Sequence, residues 1–393
     1  MAPLHPAERV LRLRSDREHA VRKGHPWVFS GAVRSQAGPE DAAIARVESA
    51  QGEFLGLGFH SQASQIRVRL LAGERVWRGA AFFEDRLIGA LRLRRRVVPA
   101  DTNGYRLLNA EGDGVPGWTV DRFGDALVSQ ITVAGLESLR QDAYAALHKL
   151  LPECSILQLN DLPARRLEGL GLEDQEVRGE PPPAARFTEN GLLLEADLRG
   201  GQKTGHYCDQ RENRRLASQL AGGSRVLDLF SHSGGFALNA ARSGATRVLA
   251  VDSSQSALDR VERHARLNGL AGIELRKADV FDFLRQPADE FDLVICDPPP
   301  LARRRADVER AARAYKDVNR LAMQRLAPGG HLFTFTCSGA MEVGLFRQIL
   351  VAAAHEAGIS LSWLKPLAAA ADHPVAFGHP EGEYLKGWWC VRN

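Results

Sequence analysis

The feature that most constrains the fold is a regular alternation of short apolar segments with longer amphipathic segments after about residue 200. The short segments have the length and composition of buried strands, and the segments between them carry apolar residues at helical spacing. Such alternation is typical of a doubly wound parallel α/β sheet. The predicted strands are Arg225–Leu229, Arg247–Asp252, Ile273–Arg276, Phe291–Cys296 and His331–Thr336, and the predicted helices are Gly235–Arg242, Ser256–Leu267, Ala306–Leu326 and Glu342–Glu356.

Two smaller domains are predicted before this sheet. Residues 1–75 combine short apolar segments with glycine-rich turns, which predicts a small β domain. Residues 76–190 mix strand and helix patterns, which predicts an α+β domain, and residues 191–393 form the third domain. In the second domain the predicted helices are Phe82–Val97 and Leu136–Leu151, the predicted strands are Tyr105–Asn109, Gly117–Arg122, Ala126–Thr132 and Ser155–Asn160, and Asn190-Gly191 marks a hairpin within Phe187–Leu198.

Composition excludes several classes of protein. The chain has 393 residues, of which 44% are hydrophobic and 25% are charged, as in soluble globular proteins. No apolar stretch approaches the roughly 20 residues that a membrane-spanning helix needs. Five cysteines without paired spacing argue against a disulfide framework or a zinc cluster. We therefore expect a cytoplasmic protein without membrane or metal partners, and a homodimer stays open.

Charge is unevenly distributed along the chain. Residues 1–100 contain 17 Lys and Arg against 10 Asp and Glu. This excess of positive charge is compatible with a polyanionic partner, and it is explained about equally well by a solvated basic surface. In this region Lys23 and Trp27 are candidate contacts to nucleic acid, although Trp27 and Phe29 would serve equally well at the edge of a core. The arginines at 92, 94, 95 and 96 are accounted for by the dipole of the helix that they end.

Polar and glycine residues follow three successive strands of the predicted sheet, where such sheets bind ligands. Carboxylates there can accept hydrogen bonds from ribose hydroxyls and an exocyclic amine, and glycines permit close approach to the backbone. Neither a dinucleotide fingerprint nor a Walker motif is present, which favours S-adenosylmethionine as the cofactor. Helix capping would explain any one of these acids but explains the whole series poorly. The candidate cofactor residues are Asp228, Phe230, Ser231, Gly234, Gly235, Asp252, Ser253, Asp279 and Val280.

The ends of the fourth and fifth predicted strands carry the residues of the expected chemistry. Asp297, Pro298 and Pro299 form a turn typical of methyltransferases that act on a planar nitrogenous group, and they are candidate contacts to cofactor and substrate. Cys337 follows the fifth strand, where a thiolate could add to the 6-carbon of a pyrimidine and make its 5-carbon nucleophilic. Cys296 is expected to point inward, and the other cysteines to be small buried hydrophobes.

A polar segment over residues 201–214 precedes the first strand of the sheet. Its hydrogen-bonding side chains could cover the cofactor and contact a nucleotide, or the segment could be a linker followed by an amphipathic helix. Its candidate residues are Lys203 and Tyr207 for the nucleotide and Gln210 for the cofactor, with Asp209 beside them.

These motifs, taken in order, resemble the 23S ribosomal RNA cytosine-5 methyltransferases of the large-subunit I/O type. The resemblance rests on Gln202–Arg211, Leu229–Phe236, Val251–Leu258, Asp297–Pro299, Tyr315–Asn319, Phe335–Gly339, Ala371–Val375 and Glu381–Lys386. It implies an RNA-binding PUA domain over Arg9–Ala72, a central α/β domain and a seven-stranded class I methyltransferase sheet. It also implies that Cys337 is the nucleophile, that Asp297 orients or protonates the base at its 3-nitrogen, and that Asp228, Asp252 and Asp279 line the cofactor site.

Two positions depart from the family pattern. Pro300 stands where Lys or a similar residue is usual, and Cys296 stands where an aliphatic residue or Met is usual. Two alternatives therefore stay open. One is an RNA methyltransferase that modifies an amino group through the Asp297 turn, and the other is a non-catalytic RNA-binding factor for ribosome assembly. The first would not need Cys337, and the second would not bind S-adenosylmethionine.

Overall fold

The computed structural model describes residues 8–200, 204–287, 289–302 and 304–393. The chain divides into two compact units, each described here by itself. The first consists of Met1–Phe187, Ala196–His206 and Ala371–Gly382, and the second of Thr188–Glu195, Tyr207–Ala370 and Glu383–Asn393. Among the described residues, no helix has both the length and the apolar character needed to cross a membrane.

The first unit begins with a six-stranded sheet, which confirms the β pattern read from the first 75 residues. Its strands lie in the order β2-β6-β5-β4-β1-β3, with β1 parallel to β4 and the other neighbours antiparallel. The strands are β1 (Glu8–Leu13), β2 (Trp27–Phe29), β3 (Val33–Ala37), β4 (Ile44–Glu48), β5 (Phe54–His60) and β6 (Ile66–Leu70), and the short helix α1 is His19–Arg22.

A five-stranded sheet follows in the order β11-β10-β9-β8-β7. Its strands are β7 (Gly104–Asn109), β8 (Trp118–Phe123), β9 (Ala126–Ile131), β10 (Ser155–Gln158) and β11 (Gln175–Arg178), and the helices around it are α2 (Ala80–Val97), α3 (Ala134–Ser138), α4 (Arg140–Leu150) and α5 (Ala164–Leu167). One core holds side chains from both sheets of this unit, among them Phe59 of β5, Phe83 of α2 and Trp118 of β8.

The single helix predicted over Leu136–Leu151 is wrong, because the structure has two helices there. Leu139 lies between α3 and α4 with a φ of −102° and a ψ of 8°, outside the helical range. The hairpin prediction is confirmed by β12 (Ala184–Glu189) and β13 (Leu192–Asp197). Asn190 and Gly191 between them both have positive φ, as a tight hairpin turn requires.

The second unit contains a seven-stranded sheet in the order β16-β15-β14-β17-β18-β20-β19. Strand β20 is antiparallel to β18 and β19, and the other neighbours are parallel, which confirms the predicted doubly wound sheet. The strands are β14 (Arg225–Leu229), β15 (Arg247–Asp252), β16 (Ile273–Lys277), β17 (Phe291–Cys296), β18 (Leu326–Thr336), β19 (Leu361–Ala368) and β20 (Lys386–Arg392).

Helices cover both faces of this sheet. They are α6 (Arg211–Ser218), α7 (Gly235–Arg242), α8 (Gln255–Leu267), α9 (Val280–Arg285), α10 (Val308–Met323) and α11 (Val343–Ala357). Short 3-10 turns lie at Ser15–Arg17, Ser30–Ala32, Ala110–Asp113, Cys208–Gln210, Arg305–Asp307 and Pro380–Gly382. The chain leaves β14 toward β15 on one side and returns to β17 on the other, so the carboxyl ends of β14 and β17 flank the crevice where such sheets bind ligands.

Candidate active site

The loop after β14 has an unusual backbone. Phe230 and His232 have φ angles of 59° and 48°, although neither is glycine. Left-handed conformations in bulky residues are costly and persist where surrounding contacts hold them. Here the Ser231 amide donates to the carbonyl of Val251 at 3.1 Å, and the His232 amide donates to Asp252 Oδ2 at 2.9 Å. These bonds tie the loop to the end of the neighbouring strand β15.

Two glycines let this loop pass close to other elements. Gly234 has a φ of 81°, and a Cβ added there would lie 2.7 Å from Val261 of α8. A Cβ on Gly235 would lie 2.4 Å from the guanidinium of Arg214 on α6. That guanidinium is buried and donates to Glu189 Oε1 at 2.5 Å, so it has little room to move. Both glycines are therefore required for the loop to keep its path.

Asp228 lies near the end of β14 and is almost completely buried. Its Oδ2 accepts a hydrogen bond from the Ala237 amide of α7 at 3.0 Å. Burial, reinforced by the negative charges of Asp297 and Asp252, raises the pKa of Asp228 to about 7, although the Ala237 amide opposes this shift. Burying a carboxyl group that is partly ionised costs free energy of folding. Groups with pKa values shifted in this way are concentrated at functional sites.

The acids after β15 and β16 also bond to the backbone. Asp252 Oδ1 accepts from the Ser254 amide at 2.8 Å, and Asp279 Oδ1 caps α9 by accepting from the amides of Phe281 and Asp282. The sequence favours cofactor binding over helix capping as the reason for these acids, but the structure shows that Asp279 does cap a helix. The cap uses one of its two carboxylate oxygens. Ser253 is exposed and Val280 is buried beside these acids.

These strand ends match the needs of S-adenosylmethionine. The hydroxyl of Ser231 is buried and has no hydrogen-bond partner among the described residues. Such an unmatched polar group is costly unless a ligand or water meets it. The carboxylates of Asp252 and Asp279 keep accepting capacity for hydroxyl and amino donors.

Asp297 follows β17 and is held by a chain of amide side chains. Gln210 Nε2 donates to Asp297 Oδ2 at 2.9 Å, and Asn213 Nδ2 donates to Gln210 Oε1 at 2.6 Å. Asn213 also donates to the carbonyl of Ala368 at the end of β19. Gln210 was predicted to touch the cofactor, and in the structure its amide fixes one oxygen of Asp297. Pro298 is buried and Pro299 exposed on the same turn.

The two cysteines of this edge have different surroundings. Cys337 follows β18, is partly exposed, and has its Sγ 3.8 Å from the carbonyl oxygen of Pro298. Cys296 ends β17, is completely buried, and has a pKa that burial and the neighbouring Asp297 raise far above the usual range. The expectation that Cys296 points inward is confirmed. Both cysteines lie near the turn that carries Asp297, but only Cys337 is partly exposed.

A hydrogen-bonded network, for which the sequence analysis assigned no role, links the two loops. The Tyr315 hydroxyl on α10 lies 2.9 Å from Ser338 Oγ and accepts from Thr336 Oγ1 at 2.8 Å. Ser338 Oγ in turn accepts from the Ala302 amide at 3.1 Å. Tyr315 is completely buried, and burial raises the pKa of its hydroxyl. Its presence in the Tyr315–Asn319 motif was the available signal for this role.

Lys386 at the start of β20 also reaches this edge. It pairs with Thr336 in the sheet, and its Nζ donates to the carbonyl of Ser338 at 3.3 Å. Burial lowers the pKa of Lys386, while the negative charges of Glu383 and of the Cys337 thiolate raise it. Lys386 ends the Glu381–Lys386 motif, but its distance from Cys337 along the sequence gives no sign that strand pairing brings the two residues together.

The segment before α6 is only partly described. Lys203, a predicted nucleotide contact, lies outside the described residues. The ring of Tyr207 packs edge-on against His232 of the β14 loop, with centroids 5.0 Å apart. Asp209 is buried and accepts from the Tyr384 hydroxyl at 2.5 Å. Tyr207 therefore contacts the candidate cofactor loop, as a covering segment would.

The two predicted nucleic-acid contacts of the first unit are placed differently. Lys23 is exposed. Trp27 is partly buried, donates its indole N–H to Glu111 at 2.9 Å, and packs on His379 at 4.6 Å between ring centroids. Phe29 is 47% exposed, so it lies outside the core that the alternative explanation assigned to it. Across the described ranges of the chain, no group of three or more His, Cys, Asp or Glu could hold a metal ion.

Comparison with protein families gives two matches. A model for PUA-like domains matches residues 11–72, and a model for S-adenosylmethionine-dependent methyltransferases matches residues 173–376. The second match covers more than half of the chain and includes every strand of the seven-stranded sheet except β20.

Curated relatives match the whole length of the chain. The ribosomal RNA large subunit methyltransferase I of Klebsiella pneumoniae (strain 342) is 41% identical over 97% of each chain. The protein of that name from Erwinia tasmaniensis is 42% identical over 97% of this chain and 98% of its own. Identity at this level over almost the entire length of both chains indicates a shared family.

Solved structures share the fold. A proposed S-adenosylmethionine-dependent methyltransferase from Streptococcus mutans is 22% identical, with a TM-score of 0.82 over 97% of this chain and 99% of its own. A proposed methyltransferase complexed with SAH is 23% identical, with a TM-score of 0.83 over the same shares.

Proposed function

Because the chain belongs to the ribosomal RNA large subunit methyltransferase I family, whose members use S-adenosylmethionine, we propose that it methylates the 5-carbon of a cytosine in 23S ribosomal RNA. The observation that carries the proposal is the placement of Cys337. Of the five cysteines it is the one that is not buried, and its Sγ lies 3.8 Å from the Pro298 carbonyl on the Asp297 turn.

A thiol at this place answers a chemical need. The 5-carbon of cytosine is a poor nucleophile until a thiolate adds to the 6-carbon, which makes the 5-carbon electron-rich. S-adenosylmethionine supplies the electrophilic methyl group. Cys337 forms its bond to the 6-carbon, the 5-carbon gains the methyl group, and S-adenosylhomocysteine leaves. The 5-hydrogen then departs as a proton, and the Cys337–carbon bond breaks to restore the thiolate.

Asp297 orients or protonates the base at its 3-nitrogen, with Pro298 and Pro299 fixing the turn against the base. Support for this role comes from the Gln210 amide, which donates to Asp297 Oδ2 at 2.9 Å and fixes the orientation of the carboxylate. A carboxylate aimed by a rigid partner aligns a substrate better than a free side chain does. Asp297 also lies beside the cofactor.

The cofactor site comprises the loop after β14 and the acids of the neighbouring strands. Its residues are Asp228, Phe230, Ser231, Gly234, Gly235, Asp252, Ser253, Asp279, Val280, Asp297 and Gln210, with Lys203 and Tyr207 on the substrate side. The buried hydroxyl of Ser231, which has no hydrogen-bond partner among the described residues, supports this assignment.

The chain is organised as three domains, over residues 1–75, 76–190 and 191–393. The first binds RNA, with Lys23 and Trp27 as its contacts, and the third carries out catalysis.

The test compares two cysteine variants of the full chain. Cys337→Ala should abolish methylation of 23S ribosomal RNA, and S-adenosylmethionine binding in calorimetry should stay within about twofold because the thiol holds no part of the cofactor. Cys296→Ala is the matched control, since it removes a neighbouring thiol that is buried, and it should keep most activity.

A second readout traps the intermediate. RNA containing 5-fluorocytosine lacks the hydrogen whose loss releases the enzyme, so wild-type protein should form a covalent adduct that survives denaturing electrophoresis, and Cys337→Ala should form none. Methylation that persists in Cys337→Ala would instead indicate modification of an amino group, which needs no thiol.

A further inference from the structure

The carboxyl-terminal half of α2 carries four arginines in five positions, and one of them differs from the rest. Arg94 is 2% exposed and forms a two-pronged ion pair with Asp113, at 2.6 and 2.7 Å. It also donates to the carbonyls of Arg106 and Asp372. Buried, fully bonded arginines of this kind fix local geometry. Arg94 therefore anchors the end of α2 to the first unit, which the helix-dipole explanation did not foresee.

The other three arginines, Arg92, Arg95 and Arg96, are exposed. Within the described residues, no carboxylate lies within 4.0 Å of any of these three guanidinium groups, and none of the three side chains forms a hydrogen bond. They stand at positions i, i+3 and i+4 of a helix, where like charges repel each other. The acids of α2 itself, Glu84 and Asp85, lie two turns earlier and bond to Lys149 and Arg78. The helix thus holds a rigid, uncompensated positive face.

We propose that Arg92, Arg95 and Arg96 bind the phosphate backbone of the substrate RNA. This inference rests on the proposed function, because both take ribosomal RNA as the substrate. It adds a binding surface for that RNA. Guanidinium groups match phosphate oxygens with paired N–H donors, and a rigid helix presents them without further loss of conformational freedom. A bound phosphate backbone also relieves the repulsion among the three charges.

The composition of the helix favours RNA over an anionic membrane surface. Helices that lie on membranes insert an apolar face beside their basic residues. In α2 the apolar face, with Phe83, Leu87 and Ala90, is buried in the core of the first unit. On the exposed side Ile88 is the one large apolar side chain that is exposed, at 41%. A single such residue is too little for insertion into a membrane, so this side suits a partner that offers phosphates without an apolar layer.

The experiment measures binding of full-length protein to transcribed 23S ribosomal RNA across 0.05–0.3 M KCl, with S-adenosylhomocysteine present. The variant R92Q/R95Q/R96Q should bind about 10- to 100-fold more weakly at 0.1 M KCl. The slope of log affinity against log salt should fall by about 2, because each lost phosphate contact removes about 0.7–0.9. The lysine variant R92K/R95K/R96K keeps the charges and should keep the slope.

The matched control is R260Q/R263Q/R266Q on α8, which removes the same charge from another helix and should leave the slope unchanged. If the α2 and α8 variants weaken binding equally, only net charge matters and the inference is wrong. It is also wrong if the α2 variant melts earlier yet binds RNA normally, since the arginines then serve the helix dipole. Arginine-dependent binding to phosphatidylglycerol vesicles instead of RNA would overturn it as well.

Failure of the two proposals is distinguishable. If wild-type protein methylates the RNA while the α2 variant keeps its affinity and salt slope, the binding surface is wrong and the proposed function stands. If wild-type protein shows the arginine-dependent slope but methylates no cytosine, the binding surface stands and the proposed reaction is wrong.

Discussion

The hydroxyl oxygen of Tyr315 lies 2.9 Å from the hydroxyl oxygen of Ser338, the residue next to Cys337. Through Ser338 and the amide of Ala302, this contact joins the loop of the thiol to the turn that begins at Asp297. A buried phenol thus links the loop that carries Cys337 to the turn that carries Asp297. Tyr315 is a positioning residue, and its removal tests the geometry of the site without altering its chemical groups.

We expect Tyr315→Phe to lower kcat for methylation about 10- to 100-fold, because small displacements of reacting groups have effects of this size. The lost hydrogen bonds should also cost about 1–3 kcal/mol of unfolding free energy. Single-turnover kinetics measure the first effect, and denaturant unfolding measures the second. Cofactor affinity should stay within about twofold.

Tyr144→Phe is the control for this prediction. Tyr144 is likewise a buried phenol, bonded to Ser129 and Gln158 in the first unit. Its removal should cost similar stability and leave kcat unchanged. Equal loss of kcat in both variants would show that stability, and not position, limits the reaction.

Asp228 should make stability depend on pH in an unusual direction. Its pKa is about 7 in the folded chain, against 3.8 for the ordinary group, so the folded state binds a proton that the unfolded state has released between these values. Stability therefore falls as pH rises from about 4 to 7, by roughly 1.4 kcal/mol per unit, and the cost is complete above 7. Asp228→Asn should stabilise the ligand-free protein by a few kcal/mol at pH 8 and very little at pH 4.

Asp292→Asn tests a carboxylate whose effect on stability depends on pH in the opposite direction. The Arg225 guanidinium, bonded to the Asp292 carboxylate, lowers the pKa of Asp292, so its contribution is present at neutral pH and lost as pH falls through that lowered pKa. Thermal melts from pH 2 to 8 should show Asp292→Asn destabilised above about pH 4 and approaching wild type only as the pH falls below that value, where the carboxylate becomes protonated. A pH-independent difference for Asp228→Asn would contradict its raised pKa.

Much of the sheet could be predicted because its central parallel strands are buried on both faces and so leave apolar runs in the sequence, as in Phe291–Cys296. Strand β19 left no such run, because Lys365 and Pro366 interrupt it. The break at Leu139 was also invisible, since nothing in its neighbours disfavours a continuous helix. The candidate site residues that follow strands could be predicted from their position, because ligands of such sheets bind at the carboxyl ends of the strands. Tyr315 lies inside a helix and Lys386 begins an antiparallel strand, so only the three-dimensional pairing places them beside Cys337.

Gly234→Ala should weaken cofactor binding and destabilise the chain by about 1–3 kcal/mol. Two unfavourable effects combine at this position, because the φ of 81° disfavours any Cβ and the added atom would meet Val261 at 2.7 Å.

Gly244→Ala is the control that separates the conformational effect from the collision. Gly244 has a similar φ of 84° with no heavy atom within 4 Å of its Cβ position, so it should show the conformational cost without the collision or any effect on cofactor affinity. Calorimetric titration with S-adenosylmethionine and denaturant unfolding measure the two quantities, and equal effects of both variants would show that the close approach to α8 is unimportant.

Lys386 should set the pH range in which Cys337 reacts. Its ammonium group bonds to the Ser338 carbonyl and interacts electrostatically with Cys337, so it stabilises the thiolate over the thiol. In Lys386→Met the thiolate loses this support, and the rising limb of the pH profile of kcat/KM should move to higher pH by about one unit.

Two variants serve as controls for this shift. Lys386→Arg keeps the charge and should keep the profile close to that of wild type. Lys365→Met removes an equal charge from the exposed face of the neighbouring strand β19 and should leave the profile in place. A uniform drop in rate for Lys386→Met, with the limb unmoved, would mean that the lysine holds the Ser338 loop and has no effect on the ionisation of the thiol.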